Sequence, residues 1–243
     1  MRWDRTKGRP EPIQALNRIV EIENGEPLVD MQLACPSIRT IRPATLPWCR
    51  ESVAKMADDA ARALPEGVHL GLAEGWRPWI RQKRIYDWMW QMLEEVRPGL
   101  SYATKRRIVC RWVAPVDQKA PPGHCTGGAL DVYLLDAQGE QLDVTSPLDR
   151  FAAAPTYSYG LSETAQANRD LLVLTMLSAG FSNCRDEFWH YSYGDAGWAV
   201  RTGVASCQYG LIELDESIWT ESQVVWEEAL WARPNPFLAV SPS

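Results

Sequence analysis

The order of helical and extended patterns along the chain predicts an α+β fold with an antiparallel central sheet flanked by helices. Three observations predict it. Segments with helical spacing are interspersed irregularly with short apolar segments of strand type. Two strand-like segments, ALDVYLL at 129–135 and EQLDV at 140–144, are joined by the turn sequence DAQG, which makes an adjacent hairpin rather than a doubly wound parallel sheet. No internal repeat and no low-complexity linker divides the chain.

Taken in order, residues 1–27 are rich in proline and polar side chains and are expected to form an arm laid over the domain. RESVAKMADDAARAL at 50–64 has helical spacing at Val53, Met56, Ala60 and Leu64, and Pro65-Glu66-Gly67 stops it. In the strand VHLGLA that follows, Val68, Leu70 and Leu72 share one face, which assigns His69 to the other as a surface group. Gly75-Trp76-Arg77-Pro78 ends the strand, and Pro78 suits the first position of the helix PWIRQKRIYDWMWQMLEEV. Arg77, preceding a proline, is biased to extended backbone at a strand-to-helix corner; from these four residues alone it reads as a surface loop arginine. Residues 98–122 are less regular. SETAQANRDLLVLTMLSAGF has helical spacing, with Ser162 as N-cap and Gly180 at its stop. CRDEFWHYSYGD supplies a final extended segment, and the tail from about 214 reads as an acidic amphipathic helix ending before Pro234. The expected organisation is an arm at 1–27, a domain at 28–212 and a C-terminal helical extension at 213–243.

With 243 residues, 46% apolar and 23% charged, the chain can bury a sizeable core. No window approaches eighteen consecutive apolar residues, and MRWDRTKGRPEP has no apolar signal core, so a soluble, cytoplasmic chain with no membrane partner is expected. The net charge of −6 and the dispersed basic residues exclude the footprint of a nucleic-acid binder. TKRR at 104–107, the one tight basic cluster, reads as a solvated helix face. Six cysteines without CxxC pairs read as reduced thiols, and the twelve tryptophans, mostly inside apolar segments, read as core rather than a sugar platform.

Two of the three histidines lie in carboxylate-bearing motifs, His124 in PPGHCTGGALD and His190 in DEFWH. That is a metal-site composition. Catalytic zinc takes three protein ligands and keeps one position open, so His124, Asp131 and His190 would serve as ligands. Glu187 is then the uncoordinated carboxylate that takes a proton from the activated water. Residues 124 and 131 would face opposite ways on one regular strand, but Gly127 and Gly128 can adopt positive φ and let the chain turn between them. Glu187 and His190 share a face only if a turn or bulge intervenes. Each half of the signal is weak alone, since a turn histidine and a buried, hydrogen-bonded one are the ordinary readings. Their joint occurrence carries the assignment. Cys125 raises a nucleophile as a rival, but adjacent side chains do not face each other and no orienting third group is evident, so it reads as a packing residue.

PPGHCTGGALDVYL, DEFWHYSYGD and EGWRP together resemble the D-alanyl-D-alanine dipeptidases, the VanX-like branch of the zinc peptidases that share a fold with the Hedgehog signalling domain. The resemblance runs from EPLVDM at 26–31 to CQYGLI at 207–212, with the motifs in order. It implies one zinc ion held by His124, Asp131 and His190, Glu187 as general base, and Arg77 as the cation that stabilises the oxyanion. It also implies an aspartate for the substrate's ammonium, and SPLD nominates Asp149. Three departures bear on specificity: Gly123 stands where the family has a serine, Trp76 replaces a tyrosine, and Phe188 replaces the first tryptophan of EWWH.

The resemblance implies hydrolysis of D-Ala-D-Ala or a related D,D-dipeptide. Two alternatives stand beside it: a zinc amidase or carboxypeptidase of the same fold acting on another peptide, and a non-catalytic, zinc-stabilised binding module. The module predicts a missing base or cation, and Glu187 and Arg77 are both present.

Overall fold

The computed structural model describes residues 11–148 and 153–238 of the chain. A helical turn, α1 (Ile13–Leu16), and a short strand, β1 (Val20–Glu21), lie in the arm, and β1 pairs in parallel with β9 (Ser206–Cys207) far along the chain. Glu23 ties the arm down. Its carboxylate accepts from Nη1 and Nη2 of the buried Arg50 at 2.9 and 3.0 Å and from the Gly210 amide at 2.6 Å. Arg50 also stacks over Tyr209, so its buried charge is both paired and packed.

The chain continues through β2 (Leu28–Asp30), α2 (Met31–Ala34), β3 (Arg39–Thr40) and β4 (Trp48–Arg50) into α3 (Glu51–Arg62). Next come β5 (His69–Glu74), α4 (Trp79–Val96), α5 (Tyr102–Val109) and a 3-10 turn at Gly123–Thr126 leading into β6 (Ala129–Leu135). Then follow α6 (Glu163–Ser178), β7 (Ser182–Asn183), β8 (His190–Ser192), α7 (Ala196–Thr202), β9, and finally α8 (Thr220–Trp231).

The central sheet has the order β3-β5-β6-β8-β7. The expectation of an antiparallel sheet holds for three pairings but not for the edge, where β3 runs parallel to β5. The sheet is therefore mixed. Its parallel edge follows from the connection, because a crossover through α3 returns the chain to the end from which it started. The predicted hairpin is also shorter than expected. Beyond the DAQG turn only one bridge forms, Leu135 with Gln141. The chain then leaves the ladder, and the Val144 carbonyl accepts instead from Arg169.

The helices are capped much as the sequence predicts. Ser162 accepts from the Ala165 amide at the start of α6, and Gly180 adopts φ +101° beyond its end. Pro78 is the N-cap of α4, one position earlier than expected. In TKRR, Lys105 is buried rather than solvated, bonding Glu94 at 2.5 Å and the Pro98 carbonyl at 2.8 Å. One apolar cluster joins α3 and α6 to the sheet through Val53, Leu70, Val132, Leu172 and Met176. A second joins α4 and α5 to α8 through Trp88, Leu93, Val109, Trp226 and Leu230. The fully buried Arg81 reinforces it, donating to the Ala44 carbonyl, Ser222 and Gln223. The six cysteines are unpaired, and among the described residues no helix is long and apolar enough to cross a membrane.

Candidate metal centre

β5, β6 and β8 bring the chemistry together. Glu74, Asp131 and His190 occupy paired positions across these three neighbouring strands, so one row of the sheet carries a carboxylate, a carboxylate and an imidazole. His124 reaches the row from the 3-10 turn just before β6. As expected, the chain turns between 124 and 131, but only Gly127 does so with positive φ, at +71°. Gly128 is needed for proximity instead, because a Cβ there would lie 2.7 Å from the Tyr193 carbonyl oxygen. The turn expected between Glu187 and His190 is present too, with the His190 amide donating to the Glu187 carbonyl at 3.3 Å.

His124 Nε2 lies 3.3 Å and His190 Nδ1 3.0 Å from the same atom, Asp131 Oδ1. The three side chains are 7, 16 and 13% exposed respectively, and their ligand-type atoms all fall within 4.8 Å of one another. Ligands about 2.0–2.1 Å from a tetrahedral ion are separated by roughly 3.3 Å, so these atoms fit the corners around a zinc-sized cation. The tautomer of His124 fits as well. Its Nδ1 is 2.9 Å from the Gly75 carbonyl, an acceptor only, so Nδ1 carries the proton and the Nε2 lone pair faces Asp131. Two opposed lone pairs need a cation or an added proton between them. Burial opposes ionisation of Asp131, but the two imidazoles when protonated outweigh it and hold the carboxyl well below the usual carboxylate range.

Glu187 lines the same cavity. Burial, joined by the negative charge of Asp131, pushes its pKa up to about 8 against the pull of Arg77. Such a group suits proton transfer near neutrality, though a dication beside it would change its poise.

Arg77 is not the surface residue its four-residue context suggests; its side chain is 13% exposed and faces the cavity. Its backbone amide donates to the His124 carbonyl at 3.1 Å, coupling the corner to the turn that carries His124. Nε points at Glu74 Oε1 across 3.4 Å, and Nη1 donates to Gln82 Oε1 at 2.7 Å. Neither Glu74 nor Gln82 was singled out from sequence. The available signal was their spacing around EGWRP, with Gln82 one helical turn beyond Pro78. Asp149 lies outside the described residues.

The other sequence expectations resolve through packing. Cys125 is fully buried and burial pushes its thiol up to about 12, which disfavours a thiolate nucleophile. A Cβ at Gly123 would lie 2.3 Å from Asp195 Oδ2, so that carboxylate takes the space of a side chain there. Trp76 is wholly buried and donates to the Ile212 carbonyl at 2.9 Å. Phe188 packs beneath the Arg169 guanidinium, 4.1 Å from its ring centroid. The whole cavity has a volume of about 1340 Å³.

The chain is similar to several known proteins. The peptidase M15 family model described as D-ala-D-ala dipeptidase matches residues 48–207. A D-alanyl-D-alanine dipeptidase of Synechocystis sp. is 37% identical over 101 residues, covering 36% of this chain and 41% of that protein. The D-alanyl-D-alanine dipeptidase of Escherichia coli is 25% identical over 148 residues, covering 60% of this chain and 66% of that one. The chain thus spans less than two thirds of either relative. A solved structure of VanYB in complex with D-alanine-D-alanine is 20% identical with a TM-score of 0.39, covering 65% of this chain and 80% of that one.

Proposed function

Because the chain belongs to the D-Ala-D-Ala dipeptidase family, we propose that it hydrolyses the peptide bond of D-Ala-D-Ala or a related D,D-dipeptide in a zinc-dependent reaction. The observation that carries this reading is the convergence of His124 Nε2 and His190 Nδ1 on Asp131 Oδ1, with the Glu187 carboxylate in the same cavity. Those three residues would hold one zinc ion per chain, which would supply Lewis acidity toward a carbonyl and a water molecule.

Glu187 accepts a proton from the attacking water and returns it to the leaving amine. Arg77 meets the oxyanion that develops as the planar carbonyl becomes tetrahedral, from a corner fixed by Pro78 and by its amide bond to His124. Asp149 holds the substrate's free ammonium and so limits the substrate to a dipeptide. Residues 28–212 form the catalytic unit, with 1–27 as its arm and 213–243 as its helical extension, and the enzyme acts in the cytoplasm on a small dipeptide.

A second reading, a carboxypeptidase or amidase of the same fold, draws support from the cavity. Its 1340 Å³ exceeds the roughly 300–1,000 Å³ of ordinary small-ligand sites, leaving room for a longer chain. A panel of L,L-, L,D- and D,D-dipeptides, assayed with metal analysis and with each cleaved peptide also N-acetylated, separates the two. Cleavage of a free D,D-dipeptide with a large loss on acetylation is expected, because acetylation removes the charge that pairs with Asp149. Equal cleavage of both forms would transfer the assignment to the carboxypeptidase.

A further inference from the structure

We propose that Gln82 is a positioning residue that sets the direction of the Arg77 guanidinium. The inference rests on the reading of Arg77 as the oxyanion partner. Gln82 Nε2 donates to the Ala114 carbonyl at 2.8 Å, and a carbonyl only accepts, so the amide is held with its nitrogen toward Ala114 and its oxygen toward Arg77. That oxygen accepts from Arg77 Nη1 at 2.7 Å. Gln82 is 1% exposed, and its neighbour Arg81 fastens this turn of α4 to Ala44, Ser222 and Gln223. The platform beneath the amide is therefore rigid.

The other partner of Arg77 holds it less well, since the Nε contact to Glu74 is 3.4 Å long. Gln82 thus supplies the shorter of the two side-chain bonds. Nη2 has no hydrogen bond among the described residues and is left for substrate. The chemistry of the partner matters as much as its distance. A neutral amide fixes one edge of the fork without neutralising its charge, whereas a carboxylate there would compete with the developing oxyanion.

The test is a double-mutant cycle on the zinc-loaded full chain, with kcat and KM measured on the preferred D,D-dipeptide. Gln82→Met keeps the volume and removes the acceptor. It should lower kcat by about 10- to 100-fold, the scale of a misplacement near 1 Å. KM should stay within about twofold if the fork acts in the transition state. In an Arg77→Ala background the same change should cost less than about twofold, because Gln82 acts only through Arg77. Gln82→Glu keeps an oxygen toward Nη1 and provides a second, conservative variant. Its added charge should lower kcat in the wild-type background and not in Arg77→Ala. Equal costs in both backgrounds overturn the positioning role while leaving Arg77 as oxyanion partner. An Arg77→Ala variant with unchanged kcat removes the reading of Arg77 and the positioning role with it.

Discussion

Asp131 and His190 sit directly opposite each other on β6 and β8, and Asp131 Oδ1 lies 3.0 Å from His190 Nδ1. This proposed metal-binding pair is thus set by strand register, and a one-residue slip would turn one of the two side chains to the other face of the sheet. His124 is set differently, by a turn whose carbonyl accepts from the Arg77 amide while the His124 ring Nδ1 donates to the Gly75 carbonyl. The proposed ligand set therefore depends on two different local structures.

Removing either imidazole tests the set. His124→Ala and His190→Ala each leave two protein ligands, and each should weaken zinc binding by more than the roughly 10- to 100-fold that loss of a supporting second-sphere partner costs. Elemental analysis after dialysis against a weak chelator reads this directly. Stoichiometric zinc in both variants would sink the assignment.

The glycine behind the His124 turn makes a separate prediction. Gly128→Ala places a Cβ 2.7 Å from the Tyr193 carbonyl oxygen, and both groups belong to backbone that pairs through the Tyr193 amide and the Gly128 carbonyl at 3.0 Å. Relieving the clash must separate β6 from β8, at a cost of about 1–3 kcal/mol. In a chain of this size that lowers Tm by roughly 2–12 °C. Zinc affinity should fall with it, since the loop positions His124. An unchanged Tm would show that the strands tolerate a side chain there.

Much of this was legible in the sequence because the strongest signals are local. Helical spacing and caps located α3, α4 and α6, and two histidines beside carboxylates nominated the side chains that the fold brings together. What escaped depends on long-range contact. The parallel edge strand, Arg39–Thr40, is two residues long and carries no period of its own. EQLDV alternates like a strand, yet the Val144 carbonyl is claimed by Arg169, 25 residues away. Arg77 reads as a surface group until the fold brings Glu74, Gln82 and His124 around it. Lys105 is buried only because Glu94 and Pro98 face it from the preceding helix and its end.

Arg169 itself is a structural prediction. It is 1% exposed, and among the described residues its guanidinium donates to the carbonyls of Val144, Ala153 and Pro155. Arg169→Met leaves these carbonyls without their donor and should destabilise the protein by about 3–5 kcal/mol, read from the urea unfolding midpoint. Arg169→Lys should recover little, because a single ammonium does not reproduce the planar fork. Full stability in the lysine variant would show that charge, rather than the fork, is what the site requires.

Glu187 separates catalysis from metal binding. The three ligand atoms cluster without it, and it is proposed to act on water rather than on the ion, so zinc content should be indifferent to its charge. Glu187→Gln preserves shape and removes the base. It should keep one zinc per chain and the wild-type Tm while kcat falls by about 10²- to 10⁴-fold, the range for a lost general base. KM should change little, because the base contributes in the transition state more than in substrate binding. Metal content and turnover measured on one preparation decide between roles. Loss of zinc would make Glu187 a ligand, while near-normal turnover with zinc in place would move the base to another carboxylate of the cavity, with Glu74 next to the ligand row the first to test.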